Sequence, residues 1–382
     1  MTGSMLIQIL LWLSVGLIVW TYFGYFVVLA ILSRLRPQEI IRQDNFPNIS
    51  FIVTAYNEER RIKSKIENTL ALSYPLDKIE IIMVSDGSTD KTNEIISSYA
   101  TKGITLLVLP TRHGKHFGQH EAVKIAKGDI IVFTDATTFL NEDALEKIVR
   151  GFADPRIGCI SGQDFVETEK SESAGEGFYI RYEMKLRALE SVTANLVGVS
   201  GCFFALRKCL CDTWYADLSS DFYLPILAHI RGYRVVLETE AICHYAALSD
   251  PEKEFHRKVR TIVNGLAVLY RLKHILNPLR YGVFSLQMLS HKLIRWLVPF
   301  LLILMFFLNI PLIGHSRFYS LLFMIQSAFY LLAAFAYIFK SLRNINIFKI
   351  PLFFITVNYS ILVAWSRFVL GRRFVTWEST KR

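Results

Sequence analysis

The chain has 382 residues, 52% of them hydrophobic, and its mean hydropathy of +0.33 is high for a wholly soluble protein. That length holds one large soluble domain plus membrane segments, and the apolar excess sits at the two ends. The formal net charge of +10 gathers beside the apolar segments, at Arg34 and Arg36 and then at Arg257, Lys258, Arg260, Arg271, Lys273, Arg280, Lys292 and Arg295. Such placement fits cytoplasmic loops against an anionic leaflet and argues against nucleic acid as the partner of the basic charge. The 5 cysteines are odd in number and lack C-x-x-C spacing, so they read as reduced thiols, not a zinc site or disulfide framework.

Met5 to Leu32 is almost uncharged and long enough to span a bilayer, which takes about 20 apolar residues. It lacks the basic start and cleavage site of a secretory signal. With Arg34 and Arg36 behind it, the positive-inside rule places residue 33 onward in the cytoplasm. A polar linker, Pro37 to Pro47, leads to a strand, Ile49 to Val53, that ends at Thr54-Ala55-Tyr56-Asn57-Glu58-Glu59. A helical pattern over 58–72 stops at Tyr74-Pro75. Ile79 to Val84 is a second strand, ending at Ser85-Asp86-Gly87-Ser88, and a helix from about Lys91 to Thr101 follows. Ile104 to Leu109 is a third strand, Thr111 to Gly118 a loop and Gln119 to Lys127 a helix. Ile130 to Phe133 is an apolar run read as a strand buried on both faces, with Asp135 at its C-terminal end. The alternation predicts an α/β fold with a mostly parallel sheet flanked by helices.

Further helices are predicted over Asn141–Phe152, Ser171–Ser191 and Phe222–Arg231, a strand at Gly158–Gly162, a strand or hairpin at Val197–Leu206 and a strand at Tyr233–Leu237. Residues 252–275 and 282–295 read as basic amphipathic helices of the headgroup plane. Hydrophobic segments at about 296–316, 319–340 and 349–370 complete the chain. The organisation predicted is an N-terminal transmembrane helix (1–36), a cytoplasmic domain (37–250), interface helices (251–295) and C-terminal transmembrane helices with a basic tail (296–382). One span before the domain and three after it put the C-terminus outside. Arg367, Arg372, Arg373, Lys381 and Arg382 favour the inside, and the sequence leaves this conflict open.

In open α/β sheets ligands bind beyond the carboxyl ends of the strands, where Thr54, Asp86 and Asp135 are expected. The ordered set Val53-Thr54-Ala55-Tyr56-Asn57-Glu58-Glu59, Val84-Ser85-Asp86-Gly87-Ser88-Thr89-Asp90, Gly114-Lys115 and Asp135-Ala136-Thr137 resembles the nucleotide-binding half of family-2 glycosyltransferases. Gly198-Val199-Ser200-Gly201, Ser220-Asp221-Phe222 and Gly232-Tyr233-Arg234 resemble the second half. The membrane layout is similar to that of bacterial polysaccharide synthases of the hyaluronan, chitin and cellulose synthase group.

That resemblance implies a GT-A-like fold and an inverting transfer of sugar from a nucleotide-diphosphate donor to a lipid-linked or glycan acceptor at the inner face of a bacterial inner membrane. By the resemblance, Asp86 hydrogen-bonds the base, and Thr54, Ala55, Tyr56 and Glu58 embrace base and ribose. Lys115 approaches the diphosphate. Asp135 is the candidate ligand for Mg²⁺ or Mn²⁺, hard cations that take oxygen ligands. Thr137 stands where the family has a second acid, so the remaining ligands come from pyrophosphate, water or a distant group such as His244. Asp221 is the candidate general base, with Ser220 where the family commonly has an acid. Gly201, Arg257 and Arg260 are the candidate acceptor or diphosphate contacts. Arg257-Lys258-Val259-Arg260-Thr261 half-matches the motif of processive relatives, with Thr261 in place of tryptophan. Lys292-Leu293-Ile294-Arg295-Trp296 reads as interfacial anchoring.

Two readings follow within this class, a single addition and a processive synthase that also threads its product. A transport or flippase protein with a regulatory nucleotide-binding domain is the rival from another class. The later spans hold few ionisable residues of the kind transport paths need. A sugar-phosphate nucleotidyltransferase is disfavoured because no Gly-rich loop with a lysine follows the first strand.

Overall fold

The computed structural model describes residues 3–35, 37–167, 174–246, 250–372 and 374. Eight strands form one mixed sheet: β1 (Ile49–Ala55), β2 (Ile79–Asp86), β3 (Ile104–Leu109), β4 (Ile130–Asp135), β5 (Phe139–Leu140), β6 (Ile157–Glu167), β7 (Phe203–Arg207) and β8 (Arg234–Ala246), in the order β3-β2-β1-β4-β7-β6-β8-β5. β3, β2, β1 and β4 are mutually parallel, which is the half the apolar runs announce. In the second half β6 and β8 are parallel, β7 lies antiparallel between β4 and β6, and β5 is antiparallel to β8, so the sheet is mixed and mostly parallel, as expected. β1 is buried at every residue, as a central strand with helices on both faces must be.

The helices of the sheet unit are α3 (Ile62–Leu70), α4 (Thr92–Ser97), α5 (Lys115–Ile125), α6 (Ala144–Arg150), α7 (Ala174–Thr193), α8 (Ser220–Ile230) and α9 (Pro251–Arg271). They follow the membrane helices α1 (Gly3–Val19) and α2 (Tyr25–Leu35) and precede α10 (Pro278–Met288), α11 (Ile294–Asn309), α12 (Arg317–Ile338) and α13 (Asn346–Val369). One core cluster packs Ile62 and Ile66 of α3 and Leu145, Ile148 and Val149 of α6 on one sheet face. The other packs Ala122 of α5, Leu224 of α8 and Val268 of α9 on the opposite face. Asp250 caps α9 by accepting the Glu252 amide at 2.9 Å.

Three expectations shift. The helix expected from Gln119 begins at Lys115, because Gly114, at φ 102°, lets the chain turn directly into it. Residues 197–202 are loop, and only Phe203–Arg207 pairs. The stretch 282–295 is no separate amphipathic helix; it runs into one apolar helical segment, Pro278–Leu312. The first residues of the helix predicted from Ser171, and Arg36, Arg373, Lys381 and Arg382, lie outside the described residues.

Four helical segments, Ser4–Leu35, Pro278–Leu312, Arg317–Ile338 and Asn346–Val369, are long and apolar enough to cross a membrane. A buried polar junction joins the first two to α7. The Tyr25 hydroxyl donates to Glu190 Oε1 at 2.5 Å, and the ring nitrogens of His291 lie 2.7 Å from Glu190 Oε1 and 2.6 Å from Glu183 Oε1. Arg295 Nη1 donates to Glu183 Oε2 at 2.7 Å. Burial alone raises the Glu183 carboxyl, but His291 and Arg295 outweigh it and hold it well below the usual carboxylate range. Two π-turns, Trp20–Gly24 and Leu289–Leu293, face each other here. Thr21 Oγ1 donates to the Ser290 carbonyl at 2.6 Å, meeting an acceptor at such a turn.

Candidate active site

A cavity of about 360 Å³ opens beyond the carboxyl ends of β1 and β4, where the fold class directs a ligand. Thr54, Tyr56 and Glu58 at the end of β1, Asp135 to Thr138 at the end of β4, Asp221 of α8, and Arg257 and Arg260 of α9 all line it. Residues more than a hundred positions apart in sequence thus share one pocket.

Lys115, the first residue of α5, is paired with Asp135 Oδ1 and donates to the Gly201 carbonyl at 2.7 Å. Burial alone lowers its ammonium, but Asp135 and Asp221 more than restore it, so it stays charged. Gly201 has no room for a side chain, since a Cβ there would lie 2.7 Å from Asp221 Oδ2. Asp221 sits in the first turn of α8 and accepts from the Ser219 hydroxyl. The neighbouring Ser220 amide donates to His116 Nδ1 at 3.2 Å, and the Ser220 hydroxyl donates to Gln119 Oε1 at 2.7 Å. Burial pushes His116 down to about 4, so at neutral pH its ring is the acceptor that this bond requires.

Asp86 and Ala55 do not line the cavity. Asp86 is fully buried, and its two oxygens accept the amides of His113 and Gly114, each at 2.7 Å. It therefore shapes the turn that launches Lys115. Gly87 follows at φ 67°, and a Cβ there would collide with the Arg112 backbone nitrogen at 2.6 Å. The Tyr56 ring does line the cavity, with one face covered by the Arg112 guanidinium 3.9 Å from its centroid. Arg257 is held bidentately by Glu254 at 2.7 Å, while burial lowers Arg260. His244 lies outside the cavity, 2.9 Å from Asn141 Oδ1.

Sequence reasoning missed several neighbours. Asp164 of β6 and Arg187 of α7 face one another at 3.6 Å in the cavity wall, and Asp164 also accepts from the Ser200 hydroxyl. Tyr245 and Phe374 line the wall as well. Lys65 lies beside the end of β4, fully buried, its ammonium donating to the Thr138 carbonyl at 2.6 Å and to Thr134 Oγ1 at 3.3 Å. Burial lowers it to about 7, against the pull of Asp135. One signal was present: Lys65 falls on the apolar stripe Ile62, Ile66 and Thr69 of α3, where a charge violates the pattern.

Among the described residues no group of three or more His, Cys, Asp and Glu is placed to hold a metal ion. The donor set at the end of β4 is one carboxylate, Asp135, with the Thr137 hydroxyl beside it in the same wall. That fits a cation held by one protein carboxylate together with phosphate oxygens and water.

Comparison with known proteins agrees with this geometry. Residues 50–213 match the model of Glycosyl transferase family 2. The chain is 28% identical over 268 residues to the poly-beta-1,6-N-acetyl-D-glucosamine synthase of Staphylococcus aureus (strain COL), an alignment covering 68% of this chain and 64% of that protein. It is 27% identical over 232 residues to the synthase of the same name from Staphylococcus epidermidis, covering 58% of this chain and 56% of the other. The chain thus spans less than two thirds of the length of these relatives. Among solved structures, the mannosyltransferase PcManGT from Pyrobaculum calidifontis in complex with GDP-Man and Mn²⁺ superposes with a TM-score of 0.72 at 19% identity, over 95% of this chain and 100% of that one. That likeness is one of fold, and it extends into the apolar helices. Residues 50–213 therefore form a glycosyl transferase family 2 domain, within a GT-A-like sheet joined to helices apolar enough to cross a membrane.

Proposed function

We propose that this chain is an inverting glycosyltransferase, moving a sugar from a nucleoside-diphosphate donor to a lipid-linked or glycan acceptor at the cytoplasmic face of a membrane. The observation that carries the reading is that Lys115, Asp135 and Asp221 line one cavity with Arg257 and Arg260. On this reading the acceptor hydroxyl lies against Asp221. The carboxylate takes the hydroxyl proton as that oxygen attacks the anomeric carbon from the face opposite the leaving group. The bond from the anomeric carbon to the phosphate oxygen breaks, and the nucleoside diphosphate departs with the electron pair.

Lys115 and Arg260 neutralise the charge that develops on the diphosphate, in a pocket where fixed charges act strongly. Asp135 would hold Mg²⁺ or Mn²⁺ shared with the diphosphate, and the ion would supply further charge neutralisation there. Thr54, Tyr56 and Glu58 form the nucleoside side of the pocket, with Asp86 acting through the turn it holds. His116 and Gln119 keep Ser220, and so Asp221, in register. The basic residues beside the apolar segments support a cytoplasmic orientation.

The names of the relatives make UDP-N-acetylglucosamine the first donor to test and GDP-mannose the second. Purified protein is assayed for nucleoside-diphosphate release over a panel of nucleotide-sugars, with and without Mg²⁺ or Mn²⁺, and the products are weighed by mass spectrometry. Release from one donor class with single-sugar products supports a single addition. A ladder of products supports the processive alternative. No release from any donor overturns the assignment.

A further inference from the structure

The last apolar helix, α13, is long enough to cross a bilayer; it touches α12 at Phe329–Phe354 (5.7 Å) and α11 at Phe300–Trp365 (6.1 Å), and it also runs beside the sheet unit. α9 is part of that unit: Ala267, Val268, Leu269 and Leu272 belong to its core, and Arg257, Arg260, Thr261 and Asn264 line the cavity. α13 follows α9 along its length. Lys258 Nζ lies 5.0 Å over the Phe353 ring, Phe255 and Tyr359 stack at 5.7 Å, and Tyr270 meets Phe368 at 6.1 Å. Ala364 is buried with Val259 and Val263 between them. From residue 255 to 270 this companionship runs about 22 Å, at 1.5 Å per residue.

Both ends of that stretch contact residues that lie at or next to bonds with α7 of the sheet unit. Phe354 packs on Tyr22 at 6.1 Å, and the Tyr22 carbonyl accepts the hydroxyl of Tyr182 on α7 at 2.9 Å. Trp365 Nε1 donates to the Trp296 carbonyl at 2.9 Å, one residue beyond the Arg295 that pairs with Glu183 of α7. Past the helix, Phe374 lines the same cavity as Asp221. A crossing helix would carry one end across a hydrocarbon layer of about 30 Å, away from the sheet unit.

Charge gives an independent reading. Lys340, Arg343 and Lys349 precede or open α13, and Arg367 and Arg372 close it. The connection between the preceding two apolar helices holds His315 with Arg317 at its end and no lysine. By the positive-inside rule both ends of α13 belong on the cytoplasmic side.

We infer that the chain crosses the bilayer three times, and that α13 lies in the inner headgroup plane along α9, returning the C-terminal segment to the cavity so that Phe374 forms an aromatic wall for the acceptor. This removes the topology conflict, because three crossings bring the basic tail inside. The placement of α13 stands on contacts and charge alone, while the role of Phe374 rests on the glycosyltransferase reading.

The test has two arms. Alkaline phosphatase and green fluorescent protein are fused in turn after Ile313 and after Arg382 of the full chain. The expected pattern is active phosphatase at Ile313, and fluorescence with silent phosphatase at Arg382. Active phosphatase at Arg382 overturns the inference and leaves sugar transfer untouched. In the second arm, Phe374→Ala is compared with wild type for transfer of labelled sugar, from the donor the panel selects, into inside-out membrane vesicles, and for UDP or GDP binding by calorimetry. Transfer is expected to fall about two- to tenfold, the range of an aromatic contact, with nucleotide binding unchanged and Phe374→Trp restoring the rate. Equal transfer by Phe374→Ala overturns the acceptor-wall role. No transfer by wild type overturns the functional reading and that role together, while the fusions still decide where α13 lies.

Discussion

Two clusters of buried charge draw on α7, through Glu183 and Glu190 at the membrane junction and Arg187 at the cavity, and they are finished differently. At the membrane junction Glu183, Glu190, His291, Arg295 and Tyr25 bond one another, away from the cavity. In the cavity Lys115 and Asp135 are paired, but Asp135 keeps 30% of its side chain exposed, and Asp221, Arg257 and Arg260 face the same open space. A closed cluster spends its electrostatics on holding two elements together. An open one keeps part of that interaction for a ligand, which is how charged side chains at catalytic sites differ from structural ones.

The largest expected difference between the two lies in stability. Glu190→Ala leaves the Tyr25 hydroxyl and one ring nitrogen of His291 without a partner, and breaking such a buried pair costs about 3–5 kcal/mol. Thermal unfolding in detergent is expected to show a large fall in midpoint. If the midpoint stays at the wild-type value, the junction does not fasten α7 to the membrane helices. In the cavity, Lys115→Met is expected to leave the midpoint nearly unchanged and to weaken nucleoside-diphosphate binding by about 10- to 100-fold, the scale of a lost charged hydrogen bond. Calorimetry with UDP and GDP reads this, and unaltered binding would remove Lys115 from the diphosphate.

Lys65 tests the boundary between the two kinds of cluster. Lys65→Met removes the donor to the buried Thr138 carbonyl and Thr134 hydroxyl, and a buried acceptor left unpaired costs about 1–3 kcal/mol. The expected outcome is a modestly lower midpoint with turnover also reduced about tenfold, because the Thr134–Thr138 turn under Asp135 loses its tether. A lower midpoint with wild-type turnover would class Lys65 with the junction.

The smallest effect is in pH. Burial pushes His116 and His229 down to about 4. The unfolded chain binds protons at these histidines from about pH 6.5 downward, before the folded chain does, so their contribution to stability falls as pH drops from about 6.5 to 4 and is level above. His116→Gln is expected to flatten that slope in a thermal midpoint series. An unchanged slope would mean that His116 takes up its proton as readily folded as unfolded.

The parallel half of the sheet was legible because β1, β2 and β4 are apolar runs that end on polar turns, and burial on both faces writes itself into composition. β8 was read at less than half its length, since Glu238, Thr239 and Glu240 interrupt its apolar run. The residues around Gly198 and Gly201 looked like strand because glycine-flanked apolar runs give no period. The cavity was legible where a side chain closes a strand, as with Asp135. Asp86 occupies the equivalent place at the end of β2 but turns inward to amides that sequence alone cannot position. Asp164 and Arg187 left no local trace, because their proximity comes from tertiary packing of α7 on β6.

The account depends on Asp221 as the group that takes the acceptor's proton. Asp221→Asn keeps the size of the side chain and its place in the first turn of α8, so the fold and the nucleotide side of the cavity stay intact. On one preparation, sugar transfer is measured beside UDP and GDP binding. The expected result is transfer reduced by about 10³-fold with binding at the wild-type level; transfer at the wild-type rate would contradict the mechanism.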